Sequence, residues 1–162
     1  MRKLCVLLAM ILALTGCAGT ETFETVDDAV VQSVMAQPKQ IQLTLPEETV
    51  LPAMETDNST VYMCREFDVS VQTLDGGDLV KTIQTISGFS KEDLSVIETE
   101  RAGLLCYEFV WSAAGELDEQ VCRCMILDDG SYHYVVTAMV DADLAGEYQQ
   151  MWNGMFETVA VS

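Results

Sequence analysis

A chain of 162 residues with 26 acidic and eight basic side chains carries a formal charge of −18. So acidic a surface repels phosphate backbones and anionic headgroups, which excludes nucleic-acid binding and leaves cations or a basic partner as the species it attracts. About half of the residues (49%) are hydrophobic, enough for one domain around a single core, and no repeat or second long apolar span divides it.

The chain opens Met1-Arg2-Lys3, runs apolar from Leu4 to Leu14, and then places the small residues Thr15 and Gly16 before Cys17. A positive start, a short apolar stretch and a small-residue cleavage site make up an export signal, and the run is too short to span a bilayer. The string Leu14-Thr15-Gly16-Cys17 resembles the lipobox of bacterial lipoproteins, and the chain is similar to small lipoproteins of gut anaerobes. That resemblance implies cleavage after Gly16, a diacylglyceryl group on the Cys17 thiol, and a protein held on a membrane facing outside the cytoplasm. Ala18 stands where retention at an inner membrane resembles a need for Asp, so the outer membrane stays open in a two-membrane host. Each buried methylene contributes about 0.8 kcal/mol and one acyl chain holds only marginally, so two chains make a stable anchor. Loss of Arg2 and Lys3 with the signal brings the charge to about −20. The organisation expected is a signal over 1–16, anchor and tether over 17–25, and a single α+β domain over 26–162.

Ala18 to Glu24 is small and polar, as a flexible spacer is. Val26 to Ala36 fits either a helix capped by Asp27 or Asp28 or a strand through Val30, Val31 and Val34. Ile41, Leu43 and Leu45 alternate with Gln42 and Thr44 up to Pro46, a half-buried first strand. Val61 to Cys64 and Phe67 to Thr73 read as two strands or a bulged pair, followed by the turn Leu74-Asp75-Gly76-Gly77. Asp78 caps a predicted helix that carries Leu79, Ile83 and Ile86 and stops at Gly88. Ser90 to Asp93 is a capping turn, and Ser95–Thr99, Leu104–Ser112, Gln120–Leu127 and Ser131–Val140 are strands. Ala142 to Glu157 is an amphipathic helix with Leu144, Tyr148, Met151, Trp152, Met155 and Phe156 in one stripe, and Thr158 to Val161 is a short last strand.

Asp129-Gly130 is the favoured centre of a two-residue hairpin, which pairs Ile126 with His133, Cys124 with Val135 and Cys122 with Thr137. One face of that hairpin carries Cys122, Cys124, Ile126, His133, Val135, Thr137 and Met139. The other carries Val121, Met125, Leu127, Tyr132, Tyr134, Val136 and Val140. Both faces are apolar, so the expected α+β fold is an antiparallel sheet covered by helices on both faces. This order of elements, from the strand ending Leu45-Pro46 through Asp128-Asp129-Gly130-Ser131-Tyr132-His133 to the closing helix, resembles the Mog1/PsbP-like α/β/α sandwich. The resemblance implies a binding or assembly factor without catalytic residues, and several members of that group are bacterial lipoproteins.

Besides Cys5 and Cys17, the cysteines are Cys64, Cys106, Cys122 and Cys124. Outside the cytoplasm an even number suggests disulfides. Cys122 and Cys124 lie two apart on one strand face, at about 7 Å, which is at or beyond the reach of a direct bridge. A cross-strand disulfide between Cys106 and Cys124 is the candidate pairing, with thiols packed as small apolar residues as the plainer reading. Cys106, Cys122, Cys124 and His133 on one face would supply four soft metal ligands, although Cys-x-Cys is not the usual zinc spacing. No cofactor or metal is expected. His133, the single histidine, has no Gly-x-Ser-x-Gly motif near it, and it reads as a packed residue. Glu108 reads as the ion-pair partner of Arg123 before it reads as a general base. Asp75, Asp78, Asp128 and Asp129 lack the regular oxygen spacing of a calcium loop and read as turn and cap residues.

Two functions follow. The first is a lipid-anchored, non-catalytic module that binds a protein or small-molecule partner or assists assembly, against which a deep pocket floored by Glu108 or His133 would count. The second is a thiol-based redox or metal-binding lipoprotein using Cys106, Cys122 and Cys124.

Overall fold

The computed structural model describes residues 37–47, 52–115 and 118–162. Cys17, the tether and the ambiguous stretch Val26 to Ala36 lie outside them. The strands are β1 (Ile41–Gln42), β2 (Pro52–Glu55), β3 (Ser59–Met63), β4 (Phe67–Asp75), β5 (Ile97–Arg101), β6 (Leu104–Ala114), β7 (Glu119–Asp128), β8 (Tyr132–Asp141) and β9 (Ala160–Val161). The helices are α1 (Leu79–Ser87) and α2 (Ala145–Thr158), with one 3-10 turn at Lys91–Asp93. Seven strands form one antiparallel sheet in the order β2-β3-β4-β8-β7-β6-β5, and β1 pairs with β9 separately.

Period-two alternation sorts the sheet's apolar residues into two sets because successive side chains point to opposite faces. Phe67, Val69, Cys106, Met125, Leu127, Tyr134, Val136, Ala138 and Val140 pack with Trp152, Met155 and Phe156 of α2. Tyr107, Phe109, Trp111, Cys122, Cys124, Ile126 and Val135 pack with Ile83 of α1. At about 1.5–3 kcal/mol for each large side chain removed from water, these two clusters are the main source of stability.

α1 forms where the sequence places it. The Asp78 carboxylate accepts the Lys81 amide at 3.1 Å, and Gly88, with φ of 79°, turns left-handed and returns its N–H to the Gln84 carbonyl. α2 begins without a side-chain cap, and its last carbonyls are satisfied from the sheet. Arg101 donates from Nη1 to the Phe156 oxygen at 2.6 Å and from Nη2 to that of Glu157 at 2.9 Å, a cation where the helix dipole favours one.

The segment around β1 is tied to the rest by polar contacts. Gln40 and Ser162 exchange both backbone bonds, at 3.0 and 3.1 Å, and the Thr44 amide donates to Thr158 Oγ1 at 2.9 Å. Leu43 and Leu45 pack on the α2-side cluster, although only Ile41 and Gln42 join a ladder.

Two registers differ from the sequence expectation. In the β7–β8 hairpin, Ile126 stands opposite Val135, Cys124 opposite Thr137, Cys122 opposite Met139 and Asp128 opposite His133. The loop sits one residue later than Asp129-Gly130, because the Asp129 carboxylate accepts the amides of Ser131 and Tyr132 and draws the turn onto Gly130 and Ser131. In the β6–β7 pair, Phe109 stands opposite Cys124, and Cys106 opposite Leu127. The expected Cys106–Cys124 disulfide is therefore corrected. An offset of three puts the two thiols on opposite faces, and Cys106, Cys122 and Cys124 are free.

Candidate functional site

Set over β8 and β7, α2 leaves the same face of β5 and β6 partly open. Ile97 (63% exposed) and Val110 (54%) are large apolar residues left facing solvent there. Between them and α2 runs a half-open groove of about 630 Å³, walled by Ile97, Val110, Val121, Ala145, Gly146 and Trp152. Trp152 is 4% exposed, and its indole N–H meets no acceptor.

Glu108 and Arg123 sit together in this groove, with Arg123 Nη2 2.9 Å from Glu108 Oε2. Val110 stands opposite Arg123 in the ladder, so the pair is diagonal across β6 and β7, as its parity in the sequence allows. Arg123 also donates to Asn153 Oδ1 and lies 4.6 Å from the Phe156 ring centre. One guanidinium thus joins sheet, helix and groove. Glu108 and Arg123 are the only ionisable side chains among the described lining residues. A carboxylate engaged by arginine offers recognition by charge and hydrogen bonding, and no cysteine or histidine lies among the described lining residues beside it.

His133 lies elsewhere. It is buried, Thr82 Oγ1 of α1 is 2.8 Å from its Nδ1, and Asp128 Oδ2 is 3.6 Å from its Nε2, too far for a hydrogen bond. The trio has the composition of an acyl-transfer triad. Yet neither His133 nor Thr82 lines any groove described here, and the Thr82 amide is spent inside α1 on the Asp78 carbonyl. His133 is a packed residue holding α1 to the sheet, as its sequence context suggests.

The thiol set does not assemble. Cys106 belongs to the α2-side cluster, Cys122 and Cys124 to the α1-side one. His133 is four residues along β8 from the partner of Cys124, roughly 13 Å at strand rise. Burial pushes Cys122 up to about 11 and Cys124 up to about 12, the latter against a hydrogen bond with Thr137 that lowers it. Burial also raises Cys106. Protonated thiols are poor nucleophiles and poor metal ligands. Among the described residues no three His, Cys, Asp or Glu side chains gather as a metal site.

Asp78 caps α1 and Asp128 and Asp129 serve the hairpin turn, while Asp75 ends β4 opposite Tyr132. Asp128 accepts the Gly130 amide at 2.7 Å, and Asp129 takes those of Ser131 and Tyr132 on Oδ1 and the Tyr134 hydroxyl on Oδ2. Burial pushes the Asp129 carboxyl up, but these hydrogen bonds, with Lys39 at 3.6 Å, outweigh it and hold the group below the usual carboxylate range.

The groove escapes sequence reasoning because it depends on where α2 lies. Only the Glu108–Arg123 pair within it carries a signal, a lone carboxylate in an apolar strand facing a lone arginine.

Comparison with known proteins gives no matching family model and no matching curated protein. Solved structures match in fold. The solution structure of cyanobacterial PsbP (CyanoP) from Synechocystis is similar at TM-score 0.54 and 10% identity, over 93% of this chain and 99% of that one. LpqN of Mycobacterium tuberculosis, described as involved in cell envelope biogenesis, gives 0.53 and 10% over 76% and 84%. The yeast (Saccharomyces cerevisiae) Ran-binding protein Mog1p gives 0.50 and 13% over 75% and 89%. The match to a Bacteroides thetaiotaomicron crystal structure (TM-score 0.51, 10% identity) covers 75% of this chain but only 45% of that one. The chain shares the Mog1/PsbP-like α+β fold.

Proposed function

We propose that this chain is a non-enzymatic binding or assembly module, lipid-anchored through Cys17 and working on the outer side of a membrane. On this reading residues 1–16 are a cleaved signal, 17–25 the anchor and tether, and 26–162 a single domain whose sheet is covered by α1 on one face and α2 on the other. The groove beside α2 is its docking surface. The observation that carries the reading is the groove's make-up: an open, largely apolar trough whose two charged groups are paired with each other. The fold shared with a Ran-binding protein and with a cell-envelope factor supports it, and so does the lipobox string at Leu14 to Cys17. Among the described residues no helix is long and apolar enough to cross a membrane.

Two measurements test this. Radiolabelled palmitate fed to cells is expected to label the chain and not its Cys17→Ser variant; equal labelling refutes the anchor. A photo-crosslinking residue in place of Val110 is expected to give one adduct of defined mass on intact cells, while the same residue in place of Val80, exposed on α1, gives none. No adduct at 110, or the same adduct at 80, refutes the docking surface.

A further inference from the structure

We infer that the free edge of β5 takes an extended segment of another protein whose side chains alternate apolar and basic, adding it as an eighth strand beside the groove. The inference rests on the binding-module reading and specifies the class of partner.

Among the described residues, the seven-stranded sheet ends in β2 on one side and β5 on the other. The two edges differ. β2 begins with Pro52, which has no amide to offer, and its pairing with β3 slips between Pro52 and Met54. Proline and a register slip are the devices that blunt an edge. β5 has neither, and pairs without a break from Ile97–Glu108 to Arg101–Leu104.

The hairpin joining β5 to β6 fixes which groups face outward. Ala102 and Gly103 both have positive φ, 50° and 81°, a two-residue turn of the type that closes on a hydrogen-bonded pair. Arg101 and Leu104 are that pair. By the alternation of an antiparallel ladder, Ile97, Thr99 and Arg101 spend their backbone groups on β6, and Glu98 and Glu100 hold theirs out to the open edge.

Side chains alternate on the same strand. Ile97, the most exposed large apolar residue of the described chain, lies on the α2 side and lines the groove. Glu98 and Glu100, both exposed, lie on the other side, and Glu92 and Asp93 precede them. The nearby cations are engaged elsewhere: Arg101 at the end of α2, Arg123 on Glu108, and Lys91 over the Tyr107 ring at 5.7 Å. An added strand therefore meets an apolar seat at Ile97 and the small Thr99 on the α2 side, and the carboxylates of Glu98 and Glu100 on the other. Lys or Arg suits the positions beside those carboxylates, whereas a second copy of this chain would set Glu98 and Glu100 against their own kind. The edge discourages self-pairing and admits a basic strand, the geometry of β-strand addition.

The test uses the mature protein purified from membranes in neutral detergent and three fluorescent eight-residue peptides, read by anisotropy. The first alternates Lys and Val, the second Glu and Val, and the third is the Lys–Val peptide with every second amide N-methylated. The Lys–Val peptide is expected to bind, with the other two at least tenfold weaker. Glu98→Pro, which costs the sheet no internal hydrogen bond, is expected to lose at least tenfold with an unchanged urea midpoint. Should that variant not fold, Ile97→Lys carries the same expectation, and Glu98→Gln with Glu100→Gln loses several-fold along with most of the salt dependence. Equal binding of the N-methylated or the acidic peptide, or full binding by Glu98→Pro, overturns the inference. So does sedimentation showing a dimer that Glu98→Pro dissolves, since the edge then belongs to a second copy. A Val110 adduct on cells that survives Glu98→Pro leaves the docking groove standing and removes only the strand addition.

Discussion

Replacing Asp129 with Asn tests the electrostatics of the β7–β8 turn with a change of one atom. The carboxylate accepts the Ser131 amide at 3.0 Å and the Tyr132 amide at 2.8 Å on one oxygen, and the Tyr134 hydroxyl at 2.9 Å on the other. The Tyr134 oxygen itself accepts the Lys39 amide at 3.1 Å, so its proton points at Asp129. An Asn oxygen keeps the two backbone bonds, but its NH2 then faces a buried hydroxyl that has lost its acceptor. Losing one charge-assisted bond costs about 1–2 kcal/mol, and the half-exposed Lys39 contact adds a few tenths at most. With a urea slope of about 2 kcal/mol per molar, the midpoint falls by roughly 0.5–1 M near neutral pH. The pH dependence fixes the sign. Because the folded-state pKa is depressed, the carboxylate's contribution is complete above the unfolded value of about 3.9 and is lost as pH falls through the lower folded one. The deficit of Asp129→Asn should hold from pH 7 down to about pH 5 and shrink towards zero in acid. A deficit that is absent at neutral pH, or undiminished in acid, refutes the reasoning.

Three further predictions concern other parts of the fold. Arg101→Ala strips the last carbonyls of α2 of two charged donors and should cost about 2 kcal/mol in urea unfolding; a loss below about 0.5 kcal/mol means that water replaces the guanidinium at no cost. Thr82→Val leaves His133 Nδ1 buried without its partner and should cost about 1–3 kcal/mol, with Thr82→Ser restoring most of it; an unchanged midpoint rules out the contact as a fastener of α1. Cys122 and Cys124, with pKa values pushed up to about 11 and about 12 by burial, should resist iodoacetamide near neutral pH until urea opens the sheet. Native labelling of either, or a disulfide-linked Cys106–Cys124 peptide by mass spectrometry, contradicts the register.

The helices were legible because their signals are local. Asp78 and Gly88 bracket α1 in the sequence as in the fold, and the stripe from Leu144 to Phe156 packs against the sheet as its spacing predicts. The two register errors have different consequences for a physical reason. The β7–β8 pairing was misread by two, an even number, so each of its side chains kept its face and both apolar sets stood. A Cys106–Cys124 bridge needs those two residues opposite each other, but the β6–β7 register sits three residues away, and an odd offset sends Cys106 to the face opposite Cys124. β2 went unseen because Pro52-Ala53-Met54-Glu55 has no alternation and opens on a residue that strands seldom contain. The expected strand through Leu45 shrank to Ile41–Gln42 because Thr44 spends its amide on a threonine hydroxyl and not on a ladder. Glu108 and Arg123 were paired correctly from parity, but the trough around them exists only once the position of α2 is known.

The contacts around β1 bear on how force travels through the molecule. A pull on the chain preceding Lys39 reaches β8 at Tyr134 and the end of β9 through the paired backbones of Gln40 and Ser162, while the Thr44–Thr158 bond holds the last turn of α2 only beyond β1. Part of the load passes at once into β8 and part into the β1–β9 ladder. A protein held by that end would give way first in its shortest ladder, β1 with β9, while β5, β6 and the groove beside them keep their shape.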